Sequence, residues 1–218
     1  MADCGCDRID ARFDETYAHE KLQRYRSLGP DASTLALLEA ITAEGVEGRT
    51  LLDIGGGVGA VQHELLARGL DSVQEVEAST AYSEACTAEA EARGHGDRIV
   101  HLTGDFASVR AAVEPADIVT LDRSLCCWHA PLELVDSSAG MARRLYGLVF
   151  PRDTWWVRYG WRTWGNARQI MKRSGLRLVT PRAADIEAIL ARHDLHLRHR
   201  ATSGVWQVAL FAKSAGPD

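Results

Sequence analysis

The sequence predicts an α/β fold in one domain, with a parallel sheet covered by helices on both faces. Three observations carry that expectation. From residue 50 onward, short apolar runs alternate with stretches of helical period, the order that builds parallel sheets. Residues 51–59 read Leu-Leu-Asp-Ile-Gly-Gly-Gly-Val-Gly, so a glycine loop separates an apolar run from a helical pattern starting at Ala60. The 218 residues are 46% hydrophobic and 25% charged, a globular balance in a chain long enough to bury a core without staples.

Residues 1–12 are polar. A helix is predicted over 13–28, with Phe13, Tyr17, Leu22 and Tyr25 near one face. Gly29-Pro30 stops it, and Asp31 is placed to cap a second helix carrying Leu35, Leu38 and Ile41, ended by Gly45. This pair precedes the first strand, so residues 1–46 are expected to form an N-terminal helical cap over a ligand site. Strands are predicted at 50–54, 72–77, 98–102, 116–121 and 146–150, alternating with helices at 59–68, 80–92, 106–112 and 130–145; these form a core over 47–150. Region 151–181 breaks the rhythm with Pro151, several arginines and the aromatic cluster Trp155, Trp156, Tyr159, Trp161 and Trp164. It reads as a lid: a helix from Asp153 to about Lys172, then a short strand at 176–179. Thr180-Pro181 opens a further helix with proline in its first turn. Two strand patterns, 194–201 and 204–213, meet at Ser203-Gly204 and imply an antiparallel hairpin closing the segment 182–218.

The net charge of −5 argues against a phosphate backbone as the main partner. No apolar run reaches the roughly 20 residues of a membrane span, and the N-terminus lacks a secretory stretch. The expectation is a cytoplasmic chain, monomer or homodimer, acting on a small molecule. The five cysteines, Cys4, Cys6, Cys86, Cys126 and Cys127, do not form a secreted disulfide framework; Cys86 reads as core.

A strand, a glycine loop and a helix N-terminus in that order make a cofactor cradle. Gly55-x-Gly57-x-x-Ala60 also fits a relaxed dinucleotide fingerprint. Asp53 separates the two readings: a carboxylate two residues before the first glycine repels a pyrophosphate and suits a cationic ligand without phosphate. S-adenosylmethionine, with its sulfonium and α-ammonium, is such a ligand. A bare tight turn would not need Gly55, Gly56, Gly57 and Gly59 together. The run resembles motif I of the class I S-adenosylmethionine-dependent methyltransferases, acidic-x-Gly-x-Gly-x-Gly, filled by Asp53, Gly55, Gly57 and Gly59. The resemblance implies a Rossmann-like, seven-stranded, mostly parallel sheet with an antiparallel last strand, S-adenosyl-L-methionine as cofactor, and methyl transfer.

Glu77 lies 22 positions after Gly55, at the end of the second strand, where an acid accepts ribose hydroxyls; the alternative is a surface glutamate. Ala78 and Ser79 follow it as expected cofactor contacts. The resemblance implies that Asp105 accepts from the adenine amino group and that Phe106 packs on the ring, against the alternative that Asp105 only caps a short helix. Asp122 and Arg123 follow the fourth strand, where the crevice of such a sheet lies. Arg123 can pair with a ligand carboxylate or with Asp122. Tyr17 and Arg26 on the cap helix complete the expected cofactor set. Gln62 and His63 read as local polar contacts.

Residues 117–128 and 146–156 look like a bacterial small-molecule branch grouped with the magnesium-protoporphyrin O-methyltransferases. That branch tends to carry Tyr-Pro where this chain has Trp128-His129, so the tetrapyrrole substrate is not inherited. The expectation is O-methylation of a small organic acceptor. Methyl transfer from a sulfonium is an in-line displacement that needs alignment and exclusion of water, and an oxygen acceptor adds a base. His129 is the first candidate, with Asp122 and Tyr159 behind it; His129 also reads as a capping or surface residue. Trp128, His129, Trp155, Trp156, Arg158, Tyr159 and Arg162 are the expected substrate contacts, suited to a planar or anionic molecule. Two further readings stay open: Cys4, Cys6, Cys126 and Cys127 holding a soft metal or metalloid for S- or metalloid methylation, and a non-catalytic cofactor-binding module.

Overall fold

The apolar runs alternate their side chains between two faces, and one sheet buries both. A computed structural model describes residues 9–10, 12–160, 163 and 178–214, and of Arg158 only the backbone. The strands are β1 (Thr50–Ile54), β2 (Ser72–Glu77), β3 (Ile99–Thr103), β4 (Ala116–Asp122), β5 (Ala142–Pro151), β6 (Leu195–Ser203) and β7 (Trp206–Lys213). Their order is β3-β2-β1-β4-β5-β7-β6. β1 to β5 pair in parallel, while β7 is inserted between β5 and β6 and runs against both. This is the seven-stranded, mostly parallel arrangement expected. The β6–β7 hairpin turns at Gly204, whose φ of 58° accommodates the two-residue connection.

The described helices are α1 (Glu15–Leu28), α2 (Ala32–Ala43), α3 (Ala60–Leu66), α4 (Thr80–Ala92), α5 (Phe106–Val109), α6 (Pro131–Ala139), α7 (Trp155–Gly160) and α8 (Ala183–Arg192). Leu51, Val73, Ile118 and Val149 bury one sheet face with Leu37 and Ile41 of α2 and Leu65 of α3. Leu52, Val119, Leu121 and Leu148 bury the other with Phe106, Leu134 and Val135 of α6, and Ile186 and Leu190 of α8.

Register divides the first of these faces into layers along the strands. Leu51, Val73, Ile99 and Ile118 form an apolar layer. Two residues further on, His101, Glu75, Asp53 and Thr120 stand side by side on β3, β2, β1 and β4, a buried polar row. Two residues beyond that come Glu77 and Asp122, at the carboxyl ends where the crevice opens.

Several boundaries differ from expectation for physical reasons. The helix expected over 130–145 ends at Ala139, with Gly140 as its cap, and Ala142–Leu145 instead pair with Ala116–Ile118 of β4. Pro181 lies ahead of α8, whose N-cap is Arg182. Asp153 precedes α7 by two residues. The rest of the expected lid helix apart from Thr163, and half of the strand at 176–179, lie outside the described residues; Val179 is not in the sheet and donates its N–H to Cys126 O at 2.9 Å. Only α1 behaves as a cap. α2 is buried at Leu37, Leu38 and Ile41 against the sheet, so the expected two-helix cap is corrected to one. Asp31 does occupy the N-cap of α2, but its carboxylate turns to Arg24 and Arg123.

Candidate functional site

A cavity of about 350 Å³ opens at the carboxyl ends of β1, β2 and β4, within the range of small-molecule sites. Gly55, Gly56 and Gly57 form its floor, Glu77 and Ala78 one side, and Asp122, Arg123 and Ser124 the other. Phe106 and Leu134 supply apolar wall, and α1 with the preceding residues closes the top through Phe13, Tyr17, Lys21 and Tyr25.

The glycine loop is built tightly. Gly55 has φ 72°, and a Cβ there would lie 2.6 Å from Ser124 Cβ. Gly56 covers Asp53: its Cβ would meet Asp53 Oδ2 at 2.7 Å. Gly57 has φ 60°, a Cβ there would approach only Tyr82, and its N–H donates to Glu77 Oε2 at 3.0 Å. Gly59 serves another purpose. Its Cβ would collide with Cys86 Sγ and His63 Nε2, each at 2.8 Å, so this glycine permits packing behind the loop and does not line the cavity. It is corrected from a cofactor contact to a packing position.

Asp53 is fully buried beneath the loop and does not line the cavity either. Its Oδ1 accepts from Thr120 Oγ1 at 2.7 Å, and its Oδ2 has no hydrogen-bond partner among the described residues. Burial pushes this carboxyl up to about 8 against the opposing Thr120 bond, and the neighbouring Glu75, Asp122 and Glu77 push it the same way. The expected direct contact with a cationic ligand is therefore corrected to a carboxyl set beneath the loop, which a cation bound above it would draw toward its ionised form. Glu77 does reach the cavity. Its Oε1 accepts from Ser79 N–H at 2.9 Å while Oε2 holds Gly57; burial raises it to about 7, partly offset by those N–H groups.

Asp122 accepts from Thr34 Oγ1 of α2 at 2.6 Å and from Arg123 Nε at 3.2 Å. Arg123 takes a left-handed backbone, φ 58°, uncommon for a side-chain-bearing residue; its N–H donates to Val149 O at 2.8 Å and its guanidinium also pairs with Asp31. The salt-bridge alternative for Arg123 is thus the geometry present, and the guanidinium still borders the cavity. Arg12 borders it too, stacked over Tyr17 at 4.5 Å, and its Nη1 is buried without a hydrogen-bond partner among the described residues. Cys126 and Cys127 line the wall with sulfurs 3.7 Å apart. Their contact holds Cys126 up and Cys127 down, with the Arg12 charge helping the latter.

Of the residues expected from sequence, Gly55, Gly56, Gly57, Glu77, Ala78, Phe106, Asp122, Arg123, Tyr17 and Trp128 border one cavity. Others do not. Arg26 turns away to Glu89 at 2.7 Å. Ser79 caps α4 and donates its hydroxyl to Phe13 O at 2.9 Å. Asp105 caps α5, accepting from Ser108 N–H at 2.8 Å, and is not on the cavity wall. His129 is exposed, stacks on Trp128 and does not border the cavity. Trp155, Trp156 and Tyr159 are exposed by 80%, 44% and 65%; Val157 is the buried residue of α7, so these aromatics do not cover the cavity. The side chain of Arg158, and Arg162, Cys4 and Cys6, lie outside the described residues. Sequence reasoning missed Arg12, Lys21, Tyr82 and Trp206 at the cavity. Only Tyr82, three residues into the helix after Glu77, had a local signal.

No protein-family model matches the chain, and comparison with curated proteins gives no match. Solved structures do match. Magnesium protoporphyrin IX methyltransferase from Synechocystis PCC 6803, crystallised with bound SAH, is 17% identical over 94% of this chain and 98% of its own, with a TM-score of 0.70. An O-methyltransferase family protein from Burkholderia thailandensis is 16% identical over 95% of this chain and 62% of its own, TM-score 0.71. A putative RNA methyltransferase from Pyrococcus horikoshii is 15% identical over 84% of this chain and 85% of its own, TM-score 0.60. At these identities the likeness is one of architecture, and the chain has the fold of the class I S-adenosylmethionine-dependent methyltransferases.

Proposed function

We propose that this chain is an S-adenosylmethionine-dependent methyltransferase that modifies an oxygen of a small acidic organic molecule. The observation that carries the reading is the charge layout. Glu77 and Asp122 flank a glycine loop that itself lies over Asp53, so the floor suits a cation and repels a diphosphate. The cradle fits the cofactor: Gly57 presents main chain to the cavity with no side chain in the way. When bound, S-adenosylmethionine supplies a methyl group on positively charged sulfur. Glu77 would accept from its ribose hydroxyls, and Phe106 and Ala78 would wall its base.

The acceptor side supports an anion. Arg12 brings a buried N–H without a partner among the described residues, and Lys21 also lies over the Tyr17 ring, at 5.5 Å. An acceptor already ionised as a carboxylate or phenolate needs no base at the moment of transfer. Its oxygen forms the new bond to carbon as the sulfur–carbon bond breaks, and no proton moves. Where the acceptor arrives protonated, Asp122 is the carboxylate at the wall that can take the proton. The chain's contribution is alignment, charge and exclusion of water. Among the described residues no helix is long and apolar enough to cross a membrane; the proposed setting is the cytoplasm, as monomer or homodimer.

A second reading draws on Cys126 and Cys127, whose adjacent sulfurs on the cavity wall suit a thiophilic metalloid acceptor. One screen separates these. The protein is incubated with methyl-labelled cofactor and, in parallel, with aryl carboxylic acids and phenols, with arsenite, and with structured RNA. Label in the acidic small molecules is expected. Label only in arsenite, lost in Cys126→Ala and Cys127→Ala, would establish the second reading; label only in RNA would overturn both.

A further inference from the structure

Glu75 stands in the middle of the polar row with none of its surface exposed, between His101 on the edge strand and Asp53. Its Oε2 bonds His101 Nδ1, while Oε1 is buried with no nitrogen or oxygen donor among the described residues, and the Cys86 thiol lies within hydrogen-bonding reach of the carboxylate. From the helix layer above, α4 brings Cys86 onto the same point: an oxygen of Glu75, Cys86 Sγ and a ring nitrogen of His101 all lie within 4.8 Å of one another. Among the described residues no lysine or arginine pairs with Glu75; its ionic partner is His101. A buried carboxylate compensated only by an imidazole lacks positive charge.

The donor set is mixed oxygen, sulfur and nitrogen, as borderline divalent cations take. Tetrahedral bonds of about 2.0–2.3 Å place donors roughly 3.3–3.7 Å apart, so side-chain adjustments of at most about 1.5 Å from the present separations would close the site. An outer partner is already present: Gln62 Nε2 donates to Cys86 Sγ at 3.2 Å, which orients the sulfur. His101 keeps 18% of its side chain exposed at the sheet edge, which gives an ion a way in.

We infer that Glu75, Cys86 and His101 form a binding site for a divalent cation of the Zn²⁺ type, behind the glycine loop and separate from the cavity. Each residue forms one bond to the ion. The Cys86 thiol proton leaves to solvent as its sulfur binds, and no electron is transferred. The fourth position falls to water. Cys86 Sγ lies against Gly59, so the ion would tie β2, β3 and α4 to the start of α3 and steady the loop.

The test uses the full chain and no activity assay, so it stands apart from the methyltransferase reading. A variant carrying Cys4→Ser, Cys6→Ser, Cys126→Ser and Cys127→Ser keeps Cys86 as its only thiol. After dialysis against chelator it is titrated with Co²⁺ and then Zn²⁺. The expected result is one equivalent of Co²⁺ with a thiolate-to-cobalt charge-transfer band, bleached by Zn²⁺. Zn²⁺ at a hundredfold excess over its Kd should raise the Tm by roughly 5–10 °C. In the otherwise native chain, Cys86→Ala should lose that band and His101→Ala should weaken Co²⁺ binding about tenfold or more. A folded four-serine chain without the band, or a native chain whose band survives Cys86→Ala in full, would overturn the site. If the four-serine chain does not fold, the comparison of native protein with Cys86→Ala decides alone.

Discussion

Glu77→Gln separates ligand binding from stability. The carboxylate accepts two main-chain N–H groups, from Gly57 at 3.0 Å and Ser79 at 2.9 Å. A carboxamide of the same shape accepts one and turns its NH₂ toward the other. In the proposed complex the Glu77 carboxylate also accepts from the ribose hydroxyls; losing that hydrogen bond to a charged acceptor costs about 1.5–3 kcal/mol, so affinity for S-adenosylhomocysteine should fall roughly 10- to 150-fold. Stability should move the other way. Burial raises Glu77 from the usual 4.5 to about 7. A raised carboxyl stabilises the fold only while protonated, so its contribution is complete below pH 4.5 and is lost as pH rises through 7. That loss is about 3 kcal/mol by pH 8, and glutamine abolishes it. Calorimetric titration with S-adenosylhomocysteine and urea unfolding from pH 5 to 8 measure the two effects. The variant should bind more weakly at every pH, unfold like the parent at pH 5, and resist urea better at pH 8. Unchanged affinity in a folded variant, or a stability difference that does not grow with pH, would refute the reasoning.

Four other outcomes are expected. S-adenosylmethionine affinity should rise from pH 6 to 8.5 with proton release on binding, because a cation favours the ionised forms of Glu77 and Asp53, held up at about 7 and 8; a flat calorimetric profile would contradict this. Gly59→Ala, at φ 79° and with a Cβ 2.8 Å from Cys86 Sγ and His63 Nε2, should cost about 2–4 kcal/mol in urea unfolding. Cys127, whose thiol is held down by Cys126 and Arg12, should react with a disulfide reagent ahead of Cys126, and bound S-adenosylhomocysteine should slow the reaction; equal rates with and without it would place Cys127 off the site. His129→Ala, an exposed position, should leave stability within about 0.5 kcal/mol and turnover unchanged; a large rate loss would restore it as the base.

The local signals in the chain were the reliable ones. Gly69 and Gly94 stop helices where expected, and β2 and α4 match residue for residue. Glu77 reaches the cavity because a strand end and a glycine loop are both visible over a short span. Distinguishing Gly57 from Gly59 was beyond the motif, since one faces the cavity and the other faces Cys86, a difference set by a helix that follows later. Arg143-Arg144 fall inside the helix expected over 130–145, yet pairing of Ala142–Leu145 with β4 makes them strand. Trp206 arrives at the cavity because β7 inserts beside β5, a long-range pairing with no local trace. The His101–Glu75–Asp53–Thr120 row exists only once register is known. His129 shows the limit of type-based inference: its residue type fits a base, and the turn after β4 points it to solvent.

The central claim is that the acid-flanked glycine loop holds a sulfonium nucleoside. The most direct measurement is a crystal structure of the protein grown with S-adenosylhomocysteine. The expected density places ribose at Glu77 and adenine beside Phe106, with the Gly55–Gly57 main chain against the ligand; density elsewhere on the protein, or a diphosphate nucleotide occupying the loop in competition, would contradict the account.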